Sequence, residues 1–187
     1  LFRSDPLRAF LGRTAVTDVY THEDEDVFEY ICRHTLLRPR DLMTVGERLA
    51  GVRSEERQSD IRFKEVVHYA AAEIAHEYLA EIAPFIGDME IERLFQALPS
   101  NVLSRNEVEK LFLEHSIATG GEEKHVFCAL YRVGLLGYVH HDRIRGEWGQ
   151  RFLRPGEATL EPAGTLPHST HYLLHPVLTD VIGRVNP

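Results

Sequence analysis

The clearest hydrophobic pattern along the chain lies between Ile61 and Ala83. Apolar residues recur there every three or four positions, which is the spacing of one face of an α-helix. They are Phe63, Val67, Ala70, Ile74 and Tyr78. Pro84 ends the run, because proline has no N–H to donate to the preceding turn. Such a helix is over roughly 30 Å long at the usual rise per residue, so we expect it to join two modules.

The residues before this helix are predicted to form two shorter helices and a polar loop. Acids crowd the segment Asp18–Glu29, and acids stabilise the first turn of a helix because they face the positive end of its dipole. The apolar face of this helix is expected to be Val27, Phe28, Ile31 and Cys32. Pro39 suits the first turn of a second helix, running from about Pro39 to Leu49. The polar stretch Gly51–Asp60 is predicted to be a mobile loop.

Beyond Gly87 the pattern predicts two short helices with clear boundaries. Asp88 is expected to cap the first and Pro99 to close it, and its apolar face is Ile91, Leu94, Phe95 and Leu98. Ser104 and Glu107 form an S-x-x-E capping box, in which each side chain accepts a hydrogen bond from the other residue's backbone N–H. The second helix therefore starts beside Ser104, and its apolar residues are Val108, Leu111 and Phe112.

A third helix and a β-hairpin are predicted to follow. Gly120-Gly121 ends the second helix, and the third is expected at about Glu122–Leu135. The hairpin is expected to contain a strand at Tyr138–His141, a turn at Arg145–Gly149 and a returning strand at Gln150–Leu153. Three short helices followed by a hairpin is the order of a winged helix. The tail is expected to add a strand, Thr170–Leu174, and a closing helix, Pro176–Ile182.

Composition restricts the partners and the location of the chain. It carries 29 acids against 21 bases, a formal net charge of −8, so it repels polyphosphate on average, and nucleic-acid contact requires a local basic patch. Cys32 and Cys128 lie in separate predicted helices and are expected to be reduced core residues of a cytoplasmic protein. No apolar run approaches the roughly 18 residues of a membrane span, and Leu1–Phe10 lacks the core of a signal peptide.

The chain contains no complete catalytic motif. It lacks the phosphate loop G-x-x-x-x-G-K-[ST], the dinucleotide fingerprint G-x-G-x-x-G and the nucleophile elbow G-x-S-x-G. His76-Glu77 begins like the zinc-protease motif H-E-x-x-H, but Ala80 stands where the second histidine is required. We therefore expect no catalytic residues, and no cofactor bound by this chain itself.

Two groups of histidines are candidate metal ligands, but neither is expected to bind a metal. The first group is His168, His171 and His175. Imidazoles bind zinc well, but no cysteine or carboxylate lies at ligand spacing, and His175 is expected instead to pack or cap at the turn before Pro176. The second group, His140-His141-Asp142, is similar to the His-Asp pair of metal phosphohydrolases. Those enzymes place the pair on a helix, whereas a strand is expected here.

The predicted hairpin carries the one credible basic patch. Between Tyr138 and Arg154, four arginines oppose the two acids Asp142 and Glu147, and these arginines are Arg143, Arg145, Arg151 and Arg154. Arginines on a wing contact phosphates, and Trp148 is a candidate to stack on, wedge into or anchor a partner. These five residues are the candidate contacts to nucleic acid or to a protein partner, and an ordinary solvated hairpin stays an alternative.

The predicted third helix is a weak candidate for contact with DNA bases. Lys124 and Arg132 are balanced there by Glu122 and Glu123, and the helix lacks the uncharged Asn, Gln and Ser that commonly contact bases. We therefore expect a protein partner to be favoured over DNA, with DNA binding weak.

The order of parts resembles the C-terminal region of AAA+-type P-loop ATPases, especially the signal-transduction (STAND-type) and origin-recognition-like groups. Leu37-Arg38-Pro39-Arg40-Asp41-Leu42, with Ala50 later in its helix, is similar to the sensor-2 segment of their helical lid. Val133–Gly137 resembles the end of a winged helix's third helix, and Tyr172–Pro176 resembles the closing segment of some bacterial P-loop ATPases. The resemblance implies a mainly α protein with a helical lid-like segment at 1–60, a long connecting helix at 61–87 and a winged-helix domain with a small β-hairpin at 88–187.

The resemblance also implies a function. An arginine of the lid motif approaches the nucleotide phosphate, so Arg38 or Arg40 would sense nucleotide. ATP and Mg²⁺ are implied only for an ATPase domain outside this chain, which begins at Leu1 and so resembles a piece of a longer polypeptide. We expect a non-catalytic regulatory region that contacts a protein partner or its own ATPase domain, with homo-oligomer formation left open. The alternative is a free-standing winged-helix DNA-binding transcription regulator.

Overall fold

The protein is mainly helical and contains small antiparallel sheets, as the sequence predicts. The computed structural model describes residues 6–18, 22–114, 116–119, 122–142, 146–154, 157 and 165–182. The chain forms two compact units, Leu1–Ile74 and Ala75–Pro187. The boundary between them falls within the longest helix.

The first unit contains helices and one small hairpin. Its elements are α1 (Pro6–Leu11), β1 (Ala15–Thr17), β2 (Asp24–Asp26), α2 (Val27–Arg33), α3 (Pro39–Ala50), α4 (Ser54–Arg57) and the first part of α5 (Asp60–Ile86). Strands β1 and β2 pair antiparallel, with Val16 opposite Glu25. Arg13 forms a salt bridge to Asp60, and its guanidinium lies over the Phe63 ring at 4.7 Å from the centroid. These contacts connect the β1 region to the start of α5.

The acidic segment before α2 differs from the prediction. Asp24–Asp26 is a strand and the helix begins only at Val27, so most of the acids precede the helix. Asp26 is the N-cap, since its carboxylate accepts hydrogen bonds from the backbone N–H of Phe28 at 2.9 Å and of Glu29 at 3.3 Å. The predicted apolar face was partly wrong, because Phe28 is 45% exposed, whereas the buried residues are Val27, Tyr30 and Ile31.

Helix α3 begins and ends close to the predicted residues, but the following segment does not form the expected loop. Residues 51–60 contain α4 and the first residue of α5. In α4 the acids Glu55 and Glu56 lie in the first turn and Arg57 lies in the last, which is the order that the helix dipole favours. The loop was predicted because the segment is polar, but the order of the charges in α4 favours a helix.

Helix α5 confirms the strongest hydrophobic pattern. The five residues of the predicted face are all at most 2% exposed: Phe63, Val67, Ala70, Ile74 and Tyr78. The helix continues through Pro84 to Ile86, so the prediction that Pro84 ends it was wrong. Pro84 lies in the last turn and removes the hydrogen bond that its own N–H would donate, but the N–H of Gly87 still donates to the Ala83 carbonyl at 2.7 Å. In the described part of the chain, no helix is long and apolar enough to cross a membrane.

The second unit packs helices against a four-stranded antiparallel sheet. After α5 come α6 (Asp88–Ala97), β3 (Val102–Ser104), α7 (Arg105–Glu114), β4 (Ser116–Thr119), β5 (Glu122–His125), α8 (Val126–Arg132), β6 (Leu136–Asp142), β7 (Glu147–Phe152), β8 (His171–Leu174), a 3₁₀ turn (Pro176–Leu178) and α9 (Thr179–Ile182). The strand order is β3-β8-β6-β7, and β4 and β5 form a separate hairpin. The predicted tail strand and closing helical segment are therefore confirmed.

The helix starts of this unit were predicted with mixed success. The Ser104 N–H donates to the Glu107 carboxylate at 2.7 Å, and the Glu107 N–H donates to the Ser104 hydroxyl at 3.3 Å. The capping box is therefore confirmed. The Ser104 hydroxyl also donates to the Glu107 carboxylate, and this bond together with the one from the Ser104 N–H lowers the pKa of Glu107. The N-cap of α6 is Gly87, with a φ of 97°, instead of the predicted Asp88. Glycine occupies this left-handed conformation without the strain that a side chain would add.

The predicted third helix, Glu122–Leu135, is shorter than expected. Glu122–His125 forms β5, opposite β4, and the helix covers only Val126–Arg132. The register sets Thr119 opposite Glu122, which leaves two residues between the strands. The sequence there is Gly120-Gly121, a pair that favours two-residue hairpin loops. These glycines were expected only to separate two helices.

Candidate functional site

The candidate site is the β6–β7 hairpin, which lies at one edge of the sheet. Six residue pairs run from Gly137 opposite Phe152 to Asp142 opposite Glu147. Because side chains alternate between the faces of a strand, the pairs divide into two faces. One face carries Tyr138 opposite Arg151 and His140 opposite Gly149. The other, here named the outer face, carries Gly137, Phe152, Val139, Gln150, His141 and Trp148.

The first face joins the hairpin to α8. The Tyr138 ring contacts the Tyr131 ring of α8 edge-on, with centroids 6.2 Å apart, and lies 6.2 Å from His140. The imidazole of His140 lies over Gly149, because a Cβ at Gly149 would fall 2.8 Å from a ring carbon. A side chain at position 149 would therefore displace His140. This close packing was not predicted from the sequence.

The outer face is apolar near the core and ends in an exposed tryptophan. The Phe152 ring covers Gly137, where a Cβ would fall 2.6 Å from two ring carbons. The same ring contacts the His175 ring edge-on, with centroids 4.9 Å apart. Trp148 is 66% exposed and lies 4.9 Å from the His141 ring. The predicted turn at Arg145–Gly149 was partly wrong, because Trp148 lies within β7. Strand pairing therefore fixes the backbone that carries the tryptophan.

One of the two described arginines of the basic patch is paired with an acid. Arg151 forms an exposed ion pair with Glu157 at 2.7 Å, and this contact raises the pKa of Arg151. The other carboxylate oxygen of Glu157 accepts a hydrogen bond from the Arg154 backbone N–H at 3.0 Å. These two bonds lower the pKa of Glu157. The sequence analysis did not identify Glu157 as a partner of these arginines. Arg154 is exposed, and Arg143 and Arg145 lie outside the described residues.

Helix α8 exposes few side chains. Five of its residues are buried, namely Val126, Phe127, Cys128, Leu130 and Tyr131. Ala129 is half-buried and Arg132 is exposed. Lys124 lies on β5 and therefore does not belong to this helix. The helix expected to approach bases is thus mainly a core element.

The two candidate nucleotide-sensing arginines lie at the start of α3, in the first unit. Arg38 is the N-cap and its carbonyl accepts hydrogen bonds from the N–H groups of Asp41 at 3.0 Å and Leu42 at 3.3 Å. Arg40 is exposed in the first turn. The buried Asp41 carboxylate accepts a hydrogen bond from the Leu36 N–H at 3.0 Å and so fixes the preceding loop. The arginines are held on a well-defined helix start.

The histidines do not form a metal cluster among the residues that the structure describes. No group of three His, Cys, Asp or Glu residues is placed there to hold a metal ion. His140 and His141 are successive residues of β6, so they lie on opposite faces. His168 and His171 are exposed, whereas His175 is buried.

His175 caps the turn before Pro176, as predicted. Its Nδ1 accepts a hydrogen bond from the Val177 N–H at 3.2 Å, and its backbone N–H donates to the Leu135 carbonyl at 2.9 Å. Burial lowers the pKa of His175 to about 4. The residue is therefore a neutral structural histidine at ordinary pH.

The cysteines are free, and Cys128 alone is a buried core residue as expected. Cys32 is half-buried on α2 and Cys128 is buried on α8. Burial raises the pKa of both thiols, that of Cys128 to about 11. Because the thiolate is the reactive form, neither residue has the environment of a catalytic nucleophile.

An aromatic and histidine cluster in the first unit was missed by the sequence analysis. The Tyr30 hydroxyl lies 3.1 Å from His68 Nε2, and the rings of His34 and His68 are 4.6 Å apart. Tyr30 and His34 are one helical turn apart, which was a local signal, but their contact with His68 of α5 depends on the fold. Arg33 lies over the Tyr30 ring at 5.1 Å. The cluster packs α2 against α5 within this unit.

Comparison with known proteins gives no family for this chain. Neither a family model, nor a curated protein, nor a solved structure matches it.

Proposed function

We propose that the chain is a non-catalytic interaction region whose second unit is a winged-helix module that contacts a protein partner through the outer face of the β6–β7 hairpin. The order α6-β3-α7-α8-β6 supports this assignment, with the β4–β5 hairpin inserted between α7 and α8. Strand β8 lies between β3 and β6, where a winged helix has its last strand. Strand β7 then belongs to the wing. The observation that carries the proposal is Trp148, 66% exposed on a strand whose pairing fixes its backbone.

The geometry favours protein over DNA as the partner. Large aromatic side chains contribute most of the binding free energy at many protein interfaces, and Trp148 extends an outer face that includes Val139 and Phe152. A recognition helix needs exposed polar side chains to contact base edges, but α8 has one exposed residue, Arg132. The net charge of −8 opposes approach to a duplex. A free-standing DNA-binding regulator is therefore the less favoured function.

The link to a P-loop ATPase is part of the same proposal and rests on the resemblance of the Leu37–Leu42 segment. In that arrangement Arg38 or Arg40 approaches the phosphates of a nucleotide bound by a separate ATPase domain. The exposure of Arg40 at a helix start supports such a contact. The wing then contacts the partner whose binding depends on nucleotide state.

Site-specific photo-crosslinking in cells tests the proposed partner class. A photoreactive amino acid replaces Trp148 in one variant and Leu113 in the control, because Leu113 is 82% exposed on α7 of the same unit. We expect a discrete protein adduct from position 148 and none from position 113. An adduct to nucleic acid from position 148 would refute the proposal in favour of the DNA-binding alternative.

A further inference from the structure

We propose that the outer edge of β7 pairs with β7 of a second copy of this chain, antiparallel, about a twofold axis at Gly149. This inference rests on the proposed function, because it names the protein partner of the hairpin. Among the strands that the structure describes, β7 pairs only with β6, so it forms a sheet edge. An edge strand offers backbone N–H and C=O groups to another strand. The opposite edge, β3, has three residues and continues directly into α7.

Strand β7 lacks several of the features that commonly protect an edge. Its sequence is Glu147-Trp148-Gly149-Gln150-Arg151-Phe152, and its register with β6 runs without a bulge. Lysine and other charged residues, proline and bulges commonly prevent edge-to-edge pairing, and β7 has no lysine, proline or bulge. Its two charges, Glu147 and Arg151, are opposite in sign and lie on the same face, one on each side of Gly149. The strand is therefore electrostatically complementary to itself.

The alternation of side chains restricts how two such strands can pair. In an antiparallel pair, directly opposed side chains lie on the same face of the sheet. A twofold axis between two residues would oppose side chains of different faces, so the axis must pass through a residue. An axis at Gly149 sets Glu147 opposite Arg151 of the second copy and also the reverse, which gives two ion pairs. An axis at Arg151 sets two arginines opposite each other, and an axis at Gln150 sets Arg151 opposite Gly149. Charge complementarity therefore selects Gly149.

The same register favours contact on the outer face. Trp148 lies opposite Gln150 of the second copy, and the two Trp148 residues become diagonal neighbours, about 7–8 Å apart, within the reach of aromatic side chains. Gly149 adds no side chain at the axis. Arg151 already pairs with Glu157, but an exposed ion pair is weak and exchanges partners readily. Two short strands bury little area, so we expect a Kd on the order of 10–100 µM.

Sedimentation equilibrium over a concentration series that brackets this Kd tests the pairing. Glu147→Arg alone and Arg151→Glu alone each place like charges opposite each other, so each should weaken dimerisation roughly tenfold or more. The double variant Glu147→Arg/Arg151→Glu should restore it, which also excludes misfolding as the cause. Lys110→Glu, a charge reversal on α7, is the control and should leave the Kd unchanged. Trp148, the single tryptophan, should show a blue shift of its emission as the dimer forms.

Two results would overturn the inference. One is a monomer at every concentration, and the other is a dimer whose Kd does not respond to either single reversal. If the chain is monomeric while position 148 crosslinks to a different protein, the second-copy inference fails and the proposed function stands. If position 148 crosslinks to nucleic acid, the proposed function itself fails.

Discussion

Lowering the pH should destabilise the second unit through His175. The imidazole is buried, its Nδ1 accepts the Val177 N–H, and its pKa is lowered from 6.5 to about 4. The unfolded state therefore binds a proton in a pH range where the native state does not. By linkage, this contribution is fully present above pH 6.5 and is lost as the pH falls toward the native pKa. At pH 5, which is about 1.5 units below the unfolded pKa, the free energy of unfolding should be lower by an amount on the order of 2 kcal/mol.

Urea unfolding followed by Trp148 emission measures this loss, because Trp148 and His175 belong to the same unit. The comparison is between wild type and His175→Asn, whose amide oxygen keeps an acceptor for Val177 but does not titrate. Between pH 7.5 and 5, the wild type should lose about 2 kcal/mol more than this variant. His171→Asn, at an exposed histidine of β8, is the control and should follow the wild type. Parallel pH profiles for wild type and His175→Asn would refute the assignment.

Three further predictions follow from the core, the missing phosphate loop and the hairpin. Phe127 and Leu130 are fully buried on α8, so replacing either with Ala should lower the free energy of unfolding by about 2–5 kcal/mol, and a loss below roughly 0.5 kcal/mol would contradict their placement. The chain alone should not bind ATP tightly, and calorimetry that gave a micromolar Kd would contradict this. Duplex DNA should bind weakly and without sequence preference. Replacing Arg143 and Arg145 with Ala should flatten the slope of log affinity against log salt by up to about two units, whereas a nanomolar, sequence-specific complex at physiological salt would show that DNA is the partner.

Features that depend on residues a few positions apart were predicted well from the sequence. The buried face of α5, the Ser104–Glu107 capping box and the His175 cap each follow from local spacing or from a neighbouring side chain. Local hydrogen bonds and helical periodicity need no knowledge of distant residues. Two incorrect predictions also concerned local features, and in both the relevant signal was given too little weight. The charge order of α4 and the Gly120-Gly121 hairpin signal were both present in the sequence.

The candidate site was only partly predictable. The sequence identified Trp148 and the arginines of the hairpin as contact residues, but not the pairing of Arg151 with Glu157. It also could not show that α8 is mostly buried, because its exposure depends on packing against β6 and α6. These contacts change the chemistry of the surface. Among the described residues of the hairpin, Arg151 is paired with an acid and Trp148 is exposed.

The sequence by itself determined the long helix, the helix that begins at Pro39, the capped helix after Ser104 and the β6–β7 hairpin, because their signals lie within a few residues of one another along the chain. Only the tertiary structure decided that β8 lies between β3 and β6, with Leu173 opposite both Val102 and Gly137. Val102–Ser104 is too short to be recognised as a strand alone and becomes one when β8 supplies its hydrogen-bond partners. That arrangement leaves β7 at the edge of the sheet. Strand pairing joins residues far apart in sequence, and no local pattern records which strands become neighbours.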